Sequence, residues 1–123
     1  VNRTKNDSRV SERALREIYL TPFEYIVKTE QPTTVMCSYN RLGGVYLSDN
    51  KRMLTDILRG EWGYKGIVVS DWGAVNDRIE GIRAGLDLEM PGNNGVNDKH
   101  IIASAHRFAH FNKCTSTRAL FAL

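Results

Sequence analysis

Apolar positions along this chain follow two periods, one helical and one of strands. In SERALREIYL, residues 11–20, Leu15, Ile18 and Tyr19 recur at helical spacing, and Ser11 is placed to cap the first turn. Pro22 interrupts that pattern. Thr21-Pro22-Phe23-Glu24 nevertheless reads as a capping box with proline at the first helical position. A second helix therefore follows a bend near Thr21, with Phe23, Ile26 and Val27 on one face. TTVMCSY, residues 33–39, is β-prone and bounded by Gln31-Pro32 and by Asn40 with Gly43-Gly44, which predicts a strand. Ser48 is positioned to cap a further helix with Leu54, Ile57, Leu58 and Trp62 inward, and Gly60, Gly63 and Gly66 break that pattern up. Ile67 to Ser70 reads as a second strand. Its run of apolar residues lacks polar alternation, as in a strand covered on both faces. A short helix with Ile79, Ile82 and Leu86 inward ends near Gly85. Leu86 to Met90 then alternates and stops at Pro91-Gly92, a third short strand.

Strands alternating with helices of this length imply βαβ units and a parallel sheet, so the expected fold class is α/β. A doubly wound sheet and part of a barrel both fit the order of elements.

Composition narrows the class of protein without naming its chemistry. The 123 residues suffice for one domain, and 41% hydrophobic with 25% charged residues is the profile of a globular chain. No apolar run approaches the ~20 residues that span a bilayer. The polar start VNRTKNDSR shows no signal peptide, and the absence of an initiator methionine implies a processed or excised chain. The net charge of +3 comes from interspersed residues, with no basic stripe, which argues against nucleic acid. Cys37 and Cys114 are too few for a disulfide framework, and Cys37 lies in an apolar run where a buried thiol is the default. Sequons at Asn2 and Asn6 bear on a secreted protein only, and the compartment stays open.

The polar residues that end the three strands are the candidate chemistry: Ser38-Tyr39-Asn40, Ser70-Asp71-Trp72 and Glu89-Met90-Pro91. Ligands of α/β folds meet the loops at the carboxyl ends of parallel strands. A carboxylate at Asp71 can act as nucleophile or base, the neighbouring tryptophan can stack on a sugar ring, and Tyr39 can donate a hydrogen bond. On spacing alone, a helix-capping Asp71 and a core Trp72 are the favoured reading.

The motifs change that balance. KGIVVSDWGAV at 65–75 and EGIRAGLDLEMPG at 80–92 resemble the nucleophile region of glycoside hydrolase family 3, the β-glucosidase type. SERALREIYLTPFE at 11–24, VMCSYNRLGG at 35–44 and LTDILRGEWGYKGIVVSDW at 54–72 resemble the same family, almost continuously from about residue 7 to 99. The resemblance implies a (β/α)8-type barrel of which this chain supplies about three βα units at the C-terminal end, incomplete as given. It places Asp71 on the catalytic nucleophile and Tyr39 and Trp72 on the glycone subsite. Met36, on the same strand as Tyr39, approaches that pocket or sits in the core. Glu12, Arg13, Arg16 and Glu89 are expected to be structural. The implied reaction is retaining hydrolysis of β-linked oligosaccharides or aryl glycosides through a covalent glycosyl-enzyme on Asp71, with no cofactor and no metal. The alternative is a non-catalytic α/β module that binds carbohydrate or protein, or an inactive remnant.

Two departures follow from the same resemblance. The family's Lys-His motif and its acid/base carboxylate would both lie outside this chain, so the piece alone is expected to be inactive. Residues 1–105 keep the family's pattern, whereas 106–123 diverge, as a disordered or frameshifted tail would. His106, His110 and Cys114 in that tail share a helical face at i, i+4, i+8, but no Glu follows His106 and Thr115 to Thr117 weaken the helix, so an accidental tail is preferred to a zinc site.

Overall fold

The computed structural model describes residues 2–109, with side chains through residue 105. His110 and Cys114, and the side chain of His106, lie outside the described residues. Helix α1 (Glu12–Ala14) is capped as the sequence requires: the Ser11 hydroxyl accepts from the Ala14 N–H at 3.2 Å. It widens into a π-turn over Leu15–Tyr19, closed by the Leu20 N–H on the Leu15 carbonyl. Ser11→Ala removes an acceptor the exposed first turn needs and should lower stability by about 1 kcal/mol, read as a shifted denaturant midpoint at unchanged slope.

Helix α2 (Thr21–Glu30) begins at the predicted bend, but its capping box does not form. The Thr21 hydroxyl turns back to the Arg16 and Glu17 carbonyls at 2.9 Å, and Glu24 pairs with Lys28. With α1 running straight into α2, the first N–H groups of α2 already have carbonyl partners one turn earlier, as Glu24 N–H does on Leu20, so no side-chain cap is needed.

Strand β2 (Thr34–Cys37) pairs in parallel with β5 (Ile67–Ser70), with Thr34 opposite Ile67 and Cys37 opposite Ser70. Between them lie a hairpin, β3 (Arg41–Leu42) and β4 (Val45–Tyr46), and a helix over Arg52–Glu61 in π geometry. The sequence pattern predicts no hairpin here. Gly43 and Gly44, which bound a strand in the sequence, form its turn with φ of +60° and +90°, a region glycine enters without penalty. It pairs with β1 (Asp7–Ser8) in a second small sheet.

Ser48 does not cap the following helix. It lies in a 3-10 turn, Leu47–Asp49, and is fully buried, while the Asn50 side chain takes the capping role by accepting from the Met53 N–H. The predicted inner face is confirmed, with Leu54, Ile57, Leu58 and Trp62 all buried. They join Leu15, Leu20, Val27, Cys37, Tyr64, Val68, Ala84 and Leu86 in one core.

Helix α3 (Arg78–Ala84) is capped by Asp77, whose Oδ1 accepts from the Ile79 and Glu80 N–H groups. Its fully buried positions are Gly81 and Ala84, not Ile79 and Ile82, which are half-buried. This face has little room for a larger residue: a Cβ on Gly81 would lie 3.2 Å from the Leu86 side chain and 3.4 Å from the Ser48 carbonyl oxygen. The third strand, expected over Leu86–Met90, contracts to a single parallel bridge between Leu88 and Val69. Helix α4 (Val96–Ala109) closes the described chain.

The sheet is covered on one face only. Cys37, Val68 and Ser70 face the helices and are buried, whereas Met36, Ile67 and Leu88 on the other side are 60%, 46% and 44% exposed. A strand apolar on both sides is therefore covered on one, because the described residues supply helices to that face alone. Among the described residues, no helix is long and apolar enough to cross a membrane.

Candidate active site

Asp71 is the first residue beyond β5. The ladder carries on to it, since its N–H donates to the Cys37 carbonyl at 3.2 Å. Alternation along the strand places it on the open face, with Val69 and Met36, opposite buried Ser70. It caps no helix, that role belonging to Asp77, and Trp72 is 61% exposed. The reading that spacing alone favoured, a capping acid beside a core tryptophan, is thus replaced. Met36 stands on the same open face and is 60% exposed.

A tight turn presents the carboxylate. The Trp72 N–H donates to Asp71 Oδ1 at 2.7 Å, the Ala74 N–H closes on the Asp71 carbonyl at 3.1 Å, and Gly73 takes φ +73° to make the bend. Tyr39 comes from the loop after β2, and its hydroxyl donates to the Trp72 carbonyl at 2.7 Å. The structure thereby brings Tyr39, Asp71 and Trp72 together at adjacent strand ends.

Arg3 joins the cluster, which the sequence did not reveal. Its guanidinium carbon stands 4.8 Å from the centre of the Tyr39 ring. The pairing of Asp7 with Arg41, and the Gly44 N–H on Asp7 Oδ1 at 2.8 Å, carry the N-terminal segment to that place. Two-residue β1 is too short and polar to signal itself by periodicity. Thr4, Tyr39, Tyr46 and Gly73 to Asn76 line an open cavity of about 140 Å³, to which Asp71 itself does not contribute.

Desolvation raises the Tyr39 phenol above its ordinary value, helped by the nearby Asp71 carboxylate, while Arg3 opposes. The folded chain thus keeps a proton that the unfolded chain has released. This contributes stability present below the unfolded tyrosine's pKa and lost as pH rises through the folded value. In a phenolate absorbance titration, Asp71→Asn should move the Tyr39 transition back down. An unmoved transition would mean that the two side chains do not interact.

The remaining charges behave structurally. Arg13 pairs with Glu17, and Arg16 pairs with Glu12 and Glu61 on the surface. Glu89 accepts from the Asn97 amide at 2.8 Å and faces Arg78 at 3.8 Å, held in the loop that follows the Leu88 bridge. Cys37 is buried and free, and desolvation pushes its thiol up to about 11. Among the described residues, no three His, Cys, Asp or Glu converge as metal ligands.

A carboxylate, a tyrosine and an exposed tryptophan thus stand together at the carboxyl ends of parallel strands, where the ligands of α/β folds meet the loops. Comparison with known proteins shows the family. Residues 3–108 match the Glycosyl hydrolase family 3 N terminal domain, and the chain belongs to that family. It is 56% identical over 96 residues to the thermostable beta-glucosidase B of Acetivibrio thermocellus, covering 78% of this chain and 13% of that protein. It is 59% identical over 90 residues to an exo-alpha-(1->6)-L-arabinopyranosidase of Bifidobacterium breve, covering 73% and 12%. The crystal structure of the Bifidobacterium adolescentis GH3 beta-glucosidase superposes with a TM-score of 0.81 at 47% identity, over 95% of this chain and 16% of that one. Beta-glucosidase 3B of Thermotoga neapolitana, in complex with glucose, gives 0.78 at 43%, over 96% and 17%. The chain thus spans about an eighth of the length of those curated relatives.

Proposed function

We propose that this chain carries the nucleophile half of a retaining β-glucosidase-type active site, and that its sheet is a segment of a (β/α)8 barrel. One observation carries the reading most: Asp71 stands on the open face at the end of β5, with Trp72 exposed beside it and Tyr39 bound to the same turn. In the barrel, the open face bearing Met36, Ile67 and Leu88 is the interior, covered by strands from elsewhere in the protein.

The chemistry follows from the placement. A carboxylate oxygen of Asp71 attacks the anomeric carbon of a β-glycoside while the bond to the leaving oxygen breaks. A second carboxylate, from outside this chain, protonates that oxygen. It then takes a proton from water, which attacks the same carbon and frees Asp71; the two carboxyl groups stand ~5–5.5 Å apart. Trp72 offers a face for the sugar ring, Met36 an apolar wall, and Tyr39 a donor beside the carboxylate.

Trapping tests this. A dinitrophenyl 2-deoxy-2-fluoro-β-glucoside needs little acid assistance, so it should leave a glycosyl adduct on the peptide containing Asp71. The corresponding α-L-arabinopyranoside is run alongside, because relatives with both activities match the chain about equally. Sugar binding without an adduct would favour a non-catalytic module instead.

A further inference from the structure

Ser70 is 2% exposed and faces the core, opposite Asp71 on the strand. Its hydroxyl nevertheless makes a specific pair of contacts. The Met90 N–H donates to Ser70 Oγ at 2.8 Å, and Ser70 Oγ–H donates back to the Met90 carbonyl at 3.3 Å. That carbonyl also accepts from the Gly73 N–H at 2.7 Å.

The ladder explains why a hydroxyl stands here. Leu88 N–H donates to the Val68 carbonyl and Ser70 N–H to the Leu88 carbonyl, the regular parallel pattern. Its next bond would run from Met90 N–H to the Ser70 carbonyl. The Ser70 side chain takes that bond instead, so the 86–91 segment leaves the sheet while remaining tied to it. The freed end then reaches across to Gly73, in the turn that presents Asp71 and Trp72. An alanine at 70 would leave the Met90 N–H without this acceptor and loosen the carbonyl that holds Gly73.

We propose that Ser70 is a positioning residue for Asp71, acting through Met90 on the Asp71–Ala74 turn; this rests on the reading of Asp71 as the nucleophile. Ser70 touches no substrate. It fixes where the turn sits relative to β5, and hence the direction from which the carboxylate meets the sugar.

The two tryptophans separate positioning from stability, Trp62 reporting on the core and Trp72 on the site. With both replaced by 5-fluorotryptophan, Ser70→Ala should shift or broaden the Trp72 fluorine signal and leave that of Trp62 in place. The maximal rate of Asp71 labelling by the 2-fluoro glucoside should fall about tenfold, the reagent concentration at half-maximal rate changing less than about twofold. Ser70→Thr, which keeps the hydroxyl, should restore most of the rate. An unchanged labelling rate in Ser70→Ala with both signals intact overturns the proposal. Should Ser70→Ala fail to fold, hydrogen exchange in the unaltered chain decides. The clamp requires the Gly73 N–H to exchange as slowly as that of Ser70, and an unprotected Gly73 overturns it. If the protein that carries this chain takes no label on Asp71, the glycosidase reading fails by itself, and the fluorine and exchange results still decide the clamp.

Discussion

Asp71→Asn should abolish covalent labelling and reduce glycoside hydrolysis, measured in the protein that carries this chain with its acid/base partner, by on the order of 10⁴–10⁶-fold. The substitution is nearly isosteric, and an amide oxygen still accepts the Trp72 N–H that now donates to Oδ1 at 2.7 Å. The turn should therefore persist, and the thermal transition should move little. What is lost is the anionic oxygen that, in the proposed mechanism, forms the bond to the anomeric carbon. A smaller variant gives a positive signal as well: in Asp71→Gly, azide can enter the vacated space and attack from the same side. The product is then the α-glycosyl azide, inverted relative to a β-substrate, which only a missing nucleophile on that side explains. If Asp71→Asn kept more than about a tenth of the activity, the nucleophile would lie elsewhere. Glu89 is the weaker candidate, because Arg78 and Asn97 already engage its carboxylate.

Gly66→Ala should be the most damaging single-methyl change to the fold, costing about 3 kcal/mol or more against a typical total of roughly 5–15. A Cβ there would lie 2.5 Å from the Thr33 carbonyl oxygen, 2.7 Å from that of Pro32 and 2.4 Å from the Tyr64 hydroxyl. Two of the three are backbone atoms and cannot rotate away. The Thr33 carbonyl accepts the Ile67 N–H at 2.9 Å, the first bond between the β2 and β5 segments. Relief of the clash would pull the strands apart where their register begins. A fall in the thermal midpoint of roughly 10–20 °C is expected for a domain of this size. Gly92→Ala is the control, with open space around its Cβ, and should stay within about 0.5 kcal/mol of the parent. Equal midpoints for the two variants would show that β2 and β5 do not meet as described.

How far the sequence was legible depends on the kind of interaction involved. Helices with a long apolar face were readable: Leu54, Ile57, Leu58 and Trp62 recur every three or four residues and all four are buried. Both parallel strands were readable, as short apolar runs between turn residues. Caps were less so. Ser11 and Ser48 look equally suited, yet Ser11 caps a helix while Ser48 is buried, because the choice between Ser48 and Asn50 depends on where the preceding 3-10 turn ends. Within the site, Asp71, Trp72, Tyr39 and Met36 stand on or just after predicted strands, so their neighbourhood followed from parallel pairing. Arg3 did not, since nothing local places a polar two-residue strand beside the hairpin.

By itself the sequence determined the α/β class, the order of its main elements, the family and the identity of the acid at the end of β5. These rest on periodicity and on motifs, which are local along the chain. Only the tertiary structure decided that Asp71 lies on the open side of the sheet with Trp72 exposed beside it. It also decided that Leu86–Met90 is held by one bridge and a serine hydroxyl in place of a full strand, and that Arg3 reaches Tyr39. Each of these depends on which backbone groups find partners across a fold, and a carbonyl's partner more than a dozen residues away leaves no period in the sequence.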